Sequence, residues 1–288
     1  MTMKHIKGTL IPIGGNEDKG SIEKEIYTLD FVEEGILYHV VKESGGNNAL
    51  IVVIPTASSI PDEVGANYLD AFHKLGCTNV QVLDIRERTQ SNEAANLELI
   101  SRADCVMFSG GDQSKIVDKI GNTKMHDLLM KRYVEEDFVI AGTSAGAMCM
   151  STEMVAGGSS TEAFYKGAVY MRDGMNFIPE LIIDTHFVRR GRFGRLAESV
   201  AKFPNLLGIG LAEDTGLIIK NCNEITVIGS GMAILFDPSD LTHNNEKILD
   251  EGTPMTMSNL VVHILSNSDQ FDISARRVHI LPVDADFI

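Results

Sequence analysis

Asp137-Phe-Val-Ile-Ala-Gly-Thr-Ser-Ala-Gly-Ala-Met-Cys-Met150 joins an apolar run of strand length, Phe138 to Ala141, to a helix-compatible run through the small residues Gly142 to Gly146. This is the G-x-S-x-G pattern of a nucleophile elbow. A serine at a sharp strand-to-helix turn is strained, and its hydroxyl stands clear of the backbone. Its neighbours must be tiny where other chain passes close, and here they are Gly142, Ala145 and Gly146. The helix that follows aims unpaired N–H groups at whatever the serine attacks, which suits a developing oxyanion. A glycine-rich turn that merely packs closely is the plain alternative. The strand before it and the helical run after it favour a nucleophile at Ser144.

Upstream, the same strand-then-turn pattern recurs. Asn48 to Ile54 and Asp104 to Phe108 are continuous apolar runs, each closed by small or glycine residues, and Val80 to Ile85 is a further strand. Between them lie amphipathic helices over Asp62–Leu75, Asn92–Ser101, Ser114–Ile120 and Met125–Glu136. Strands alternating with helices of these lengths specify an α/β fold with a mostly parallel central sheet and helices on both faces. Ligands in such sheets bind beyond the carboxyl ends of the strands. Gly110-Gly-Asp-Gln113 and the serine turn both lie there. An N–H from Gly111 or Asp112, with that of Ala145, would form a two-donor oxyanion hole. Beyond Gly216 the pattern turns strand-rich, with Leu217–Lys220, Glu224–Ile228, Met232–Phe236 and Asn259–Leu265 reading as antiparallel or edge strands. No linker interrupts the chain, so residues 1–288 read as one α/β domain.

A net charge of −15 disfavours a general nucleic-acid binder or an anionic-membrane protein, both of which need clustered positive charge. No stretch reaches the length of a membrane span, and the first residues lack a secretory apolar core. The four cysteines, Cys77, Cys105, Cys149 and Cys222, form no C-x-x-C pair and read as reduced thiols. A cytoplasmic protein is the expectation.

Two further features bear on chemistry. Leu181-Ile-Ile-Asp184 is a strand running into Thr185-His186, which puts His186 at the same end of the sheet as Ser144. A general base must hydrogen-bond the serine, and a carboxylate on its other nitrogen fixes the tautomer. Local sequence leaves Glu153, Glu162, Asp173 and Asp184 in competition for that place. Second, four of the seven residues from Arg189 to Arg195 are arginine, at the start of a helix where the macrodipole disfavours cations. Gly191 and Gly194 weaken that helix further. Such a run reads as an anion site, with a carboxylate favoured over phosphate because no P-loop or G-x-G-x-x-G follows a strand.

Gly14-Gly-Asn-Glu-Asp-Lys19, Gly110-Gly-Asp-Gln113, Gly142-Thr-Ser-Ala-Gly-Ala147, Asp184-Thr-His-Phe187 and the Arg190/Arg192/Arg195 ladder together resemble the cyanophycinase family of serine peptidases. These are relatives of aspartyl dipeptidases with a flavodoxin- or class-I-glutaminase-like fold. The resemblance runs over about residues 9 to 236, with the motifs in family order. It implies Ser144 as nucleophile, His186 as base and Glu162 as the third member of the triad. It further implies that Asp112 and Gln113 border the oxyanion side, beside the Gly111 and Ala145 donors read above, and that Asp184, Arg190, Arg192 and Arg195 bind substrate, with Gln113 and Thr185 expected among the substrate contacts. The implied reaction is exopeptidase cleavage of cyanophycin, a polyaspartate whose side chains carry arginine, to β-Asp-Arg dipeptides. A dipeptidase for short α- or β-aspartyl peptides is the alternative. The resemblance implies a homodimer and neither metal nor cofactor. One residue departs from the family pattern: Thr185 stands where glutamine is expected, and a residue there that touched substrate would change the preferred peptide.

Overall fold

The computed structural model describes residues 6–20, 28–158 and 162–280. Among the described residues, fifteen strands and seven α-helices follow one another. The first half comprises β1 (Thr9–Ile13), α1 (Ile36–Glu43), β2 (Ile51–Ile54), α2 (Pro61–Lys74), β3 (Val80–Val82), α3 (Ala94–Arg102), β4 (Cys105–Phe108), α4 (Gln113–Ile120), α5 (Lys124–Glu135), β5 (Val139–Thr143) and α6 (Ala145–Met148). The second half comprises β6 (Glu153–Gly158), β7 (Val169–Asp173), β8 (Leu181–Asp184), α7 (Phe193–Lys202), β9 (Leu207–Leu211), β10 (Thr215–Lys220), β11 (Glu224–Gly229), β12 (Ala233–Asp237), β13 (Val261–Leu265), β14 (Gln270–Asp272) and β15 (Arg277–His279).

The large sheet has the order β15-β14-β11-β10-β1-β5-β4-β2-β3. Its half from β1 to β3 is parallel, and β10, β11, β14 and β15 extend it antiparallel. Alternate residues of the parallel strands feed two different cores, as strands covered on both faces require. Val139 and Ala141 face α1 and α2 with Ile11, Ile13, Val53 and Phe72. Ile140 faces the other way, with Leu10, Val106, Ile116 and Leu129. A smaller sheet, β13-β12-β9-β8, packs into this second core through Ile183, Ile209 and Leu235. Its outer face is covered by α7, where Leu196 and Val200 meet Ile182 and Phe236.

Strands β8 and β9 are parallel neighbours, with Asp184 paired to Gly210. Their carboxyl ends meet that of β1: the N–H of His186 donates to Gly14 O (2.8 Å), and that of Phe187 to Leu211 O (3.0 Å). The ends of β1, β5, β8 and β9 therefore converge on one spot.

Two local expectations need correction. The stretch after the serine turn, where Gly157-Gly-Ser-Ser-Thr-Glu-Ala-Phe164 reads as loop from its small and polar residues, is in part a hairpin, with β6 paired antiparallel to β7. The helix after Ser144 is a single turn, α6, with Cys149 still in helical conformation at its end, and the chain reaches β6 four residues later at Glu153. Residues 159–161, which fall within the stretch 157–164, lie outside the described residues.

Candidate active site

Ser144 adopts φ 51° and ψ −107°, a conformation that costs a non-glycine residue about 1–3 kcal/mol. The glycines around it are there by necessity. A Cβ on Gly142 would overlap the backbone of Gly146, and a Cβ on Gly146 would overlap the backbone of Phe108. With both absent, β5 turns directly into α6 at Ser144.

His186 also has positive φ, 47°. Its Nε2 lies 3.1 Å from Ser144 Oγ and its Nδ1 2.8 Å from Glu213 Oε1. Glu213 Oε2 accepts a further bond from Arg189 Nη1 (2.7 Å). A carboxylate on Nδ1 makes that nitrogen the protonated one, which leaves Nε2 free to accept the serine hydroxyl. Burial pushes the imidazole below its ordinary 6.5, and the nearby Arg190 and Arg192 charges push the same way against the opposing pull of Glu213. Burial alone would raise Glu213, but hydrogen bonds from Arg189 and His186 outweigh it and hold the carboxyl below its ordinary value.

Glu213 therefore occupies the place on His186 that the resemblance gave to Glu162. Glu162 lies in an exposed turn, its carbonyl accepting from Tyr165 N–H (3.2 Å). The physical reason is the pairing of β8 with β9: His186 and Glu213 each stand two residues beyond the end of adjacent parallel strands. The remaining candidates are placed elsewhere too. Glu153 and Asp173 face one another across the β6–β7 pair, and Asp184 is wholly buried. The sequence signal that could have found Glu213 is an acidic residue closing a buried glycine-containing strand, Leu207-Gly-Ile-Gly-Leu211, next in line after the histidine strand.

Of the oxyanion donors, the Asp112 N–H is already bonded to Ala57 O (3.0 Å), and its carboxylate caps α4 through Ser114 N–H (2.8 Å). Asp112 is thus a structural residue of the turn. Gly111 has φ 141° and packs so close to Ala57 that no Cβ fits. Among the described residues, neither the Gly111 nor the Ala145 N–H is taken by a hydrogen bond. Gln113 donates from Nε2 to the carbonyls of Val155 (2.8 Å) and Ala156 (3.3 Å), tying the β6–β7 hairpin to the turn.

The arginine run differs most from the reading of a free carboxylate site. Arg195 makes a two-pronged pair with Asp184, and Arg192 reaches both Asp184 Oδ1 (3.1 Å) and Thr185 O (2.7 Å). The carboxylate these two arginines hold is the protein's own. Burial pulls the Arg192 guanidinium down to about 10 despite Asp184 beside it. Arg190 has no ion pair among the described residues and stays exposed at the mouth of the site. Thr185 is fully buried, with its hydroxyl against Met148 Sδ (3.3 Å).

Cys149 is no rival nucleophile. It is buried, its thiol donates to Gly146 O (3.3 Å), and burial pushes the thiol upward. Among the described residues no cluster of three or more His, Cys, Asp or Glu side chains is arranged to hold a metal ion. No helix among them is long and apolar enough to cross a membrane.

Residues 31–227 match peptidase family S51. A cyanophycinase from Trichormus variabilis is 36% identical over 277 residues, covering 96% of this chain and 89% of the relative. A cyanophycinase from Geminocystis herdmanii is 31% identical over 276 residues, covering 96% of each chain. Among solved structures, a peptidase from an acI-B1 Actinobacterium aligns with a TM-score of 0.59 at 20% identity, over 91% of this chain and 98% of that one. That last likeness is one of fold.

Proposed function

The chain belongs to peptidase family S51 and is a serine-type peptidase, and on that premise we propose that it is an exopeptidase releasing β-Asp-Arg dipeptides from cyanophycin or a similar aspartyl–arginine polymer. The observation that carries the reading is the continuous chain of hydrogen bonds from Ser144 Oγ through His186 to Glu213. The similarity to cyanophycinases along nearly the whole chain supports the substrate class.

In this mechanism the Ser144 turn is a nucleophile elbow. His186 Nε2 takes the hydroxyl proton as Oγ attacks the scissile carbonyl, and Glu213 stabilises the imidazolium that forms. The N–H groups of Gly111 and Ala145 receive the charge that develops on the carbonyl oxygen. Each such donor is worth on the order of 10²–10³ in turnover. The imidazolium then protonates the departing amine, and water, activated by the same imidazole, frees the acyl group. Arg190, exposed beside the catalytic histidine, is the cation that meets a substrate carboxylate; Arg192 and Arg195 support the site through Asp184. The protein is proposed to act as a homodimer in the cytoplasm, and light scattering at assay concentrations checks the first of these.

The deciding experiment is release of dipeptide from cyanophycin by the wild type and by Ser144→Ala. Turnover is expected to fall on the order of 10⁶-fold in the variant. Retained turnover would remove Ser144 from the mechanism. Cleavage of isolated aspartyl dipeptides but not of the polymer would favour the dipeptidase.

A further inference from the structure

Three residues with strained backbone surround the site: Ser144 (φ 51°), His186 (φ 47°) and Asp214 (φ 47°), the last adjoining Glu213. Each is restrained in the same way. The N–H of Ser144 donates to Ile13 O (2.8 Å), that of His186 to Gly14 O (2.8 Å), and that of Asp214 to Gly15 O (3.0 Å). Three successive carbonyls at the end of β1 thus hold the three corners of the triad. The contact is intimate: a Cβ on Gly15 would overlap the His186 imidazole, and one on Gly14 the Ala212 carbonyl.

The turn that presents these carbonyls is fixed from beneath by Glu17. Its carboxylate is buried, with Oε2 accepting from Thr143 Oγ1 (2.6 Å) and Oε1 from Lys19 Nζ (2.8 Å) and from the Tyr68 hydroxyl. Burial would raise this carboxyl, but Lys19 and the three hydrogen bonds hold it below its ordinary value, so it stays ionised. The next residue joins in, the Asp18 N–H donating to Asp214 Oδ1 (3.2 Å). Thr143 immediately precedes the serine. A carboxylate that can bond at once to the elbow strand, α2 and its own loop is a brace across the site, with no contact to the reacting atoms.

We infer that Glu17, acting through Thr143, is a positioning residue that keeps the Ile13–Gly15 carbonyls in register with Ser144, His186 and Glu213. This rests on the catalytic reading above. An ionised carboxylate buried beside an active site carries a desolvation cost unless it is fully bonded. Here it is bonded at both oxygens, and the structure held in return is the strained backbone at Ser144, His186 and Asp214. Misplacing a nucleophile by about 1 Å is enough to cost about 10²-fold in rate.

The test is Thr143→Val, which keeps the shape of the threonine and removes only the hydroxyl bonded to Glu17. The expected result is a fall of about 10- to 100-fold in kcat and in the rate of Ser144 labelling by a fluorophosphonate. KM should stay within about threefold, because substrate contacts are untouched. Thr143→Ser restores the hydroxyl and should recover both rates to within about threefold of wild type. A crystal structure of Thr143→Val should show Ser144 Oγ drawn away from His186 Nε2. The inference is overturned if Thr143→Val keeps wild-type kcat per folded molecule, whatever its melting temperature, or if Thr143→Ser is as slow as Thr143→Val. If the wild type releases nothing from cyanophycin, the substrate reading fails on its own. The Ser144–His186 distance in the variant crystal then decides the role of Glu17, an unchanged distance counting against it.

Discussion

The charge on His186 is set by a balance whose sign can be followed through to activity. Burial and the Arg190 and Arg192 charges favour the neutral ring, Glu213 favours the protonated one, and the net effect is a lowered value. The neutral base therefore persists as pH falls through 6.5, and the acid limb of kcat/KM should have its midpoint below that of an exposed histidine. Arg190→Gln removes one of the charges that lower it, so the limb should move to higher pH. A limb that stays put would show that Arg190 does not act on the imidazole. Glu213→Gln tests the other side of the ring. An amide there can hold the wrong tautomer while keeping the geometry, so kcat should fall about 10³–10⁴-fold with the fold intact by circular dichroism. The same change at Glu162 should leave kcat within about threefold, since His186 Nδ1 is served by Glu213. Ser144 and His186 were legible because their local patterns, a small-residue turn and a strand-end histidine, are contiguous in sequence. Glu213 was not, because what brings it to His186 is the pairing of two strands, and no residue type nearby records that pairing.

At the scale of elements, the β8-to-α7 segment shows how a penalised sequence is stabilised. Arginines at the start of α7 oppose its dipole, yet Arg192 and Arg195 converge on Asp184 at the end of β8, which is wholly buried. Removing one partner of such a group leaves charges buried without compensation, which typically costs about 3–5 kcal/mol. Asp184→Asn should lower stability to urea by about that amount. Because β8 carries His186, activity at saturating substrate should fall as well. A variant as stable as the wild type would show that the cluster is well solvated. In sequence this cluster looks like a ligand site because charge density is visible in a chain, whereas a partner eight residues upstream of Arg192, separated by a turn, is not. The parallel strands were legible for the opposite reason. Runs such as Ile51–Ile54 and Cys105–Phe108 are apolar at every position, and only a strand covered on both faces needs that. The β6–β7 hairpin escaped because Gly157 and Gly158 look like loop, and a register shift between Val155 and Gly157 breaks the alternation that marks a strand.

In the whole molecule, β1 sits where the two halves of the chain meet. It pairs in parallel with β5, which delivers the serine, and antiparallel with β10, which follows directly from Glu213. The second half also supplies β8 and β9, whose inner faces share one apolar core with β4, α4 and α5 of the first half. Neither half can then bury its own strands alone: without β10 the edge of β1 is open, and without β4 and β5 the small sheet has no floor. A chain built this way should unfold as one cooperative unit, which is also what a single domain over residues 1–288 requires. The expected observation is one thermal transition by calorimetry, coincident with loss of far-ultraviolet ellipticity and with loss of fluorophosphonate labelling at Ser144. Two separated transitions, with labelling surviving the first, would show instead that β10 to β15 form a unit of their own and that the β1–β10 pairing is not needed to hold the site.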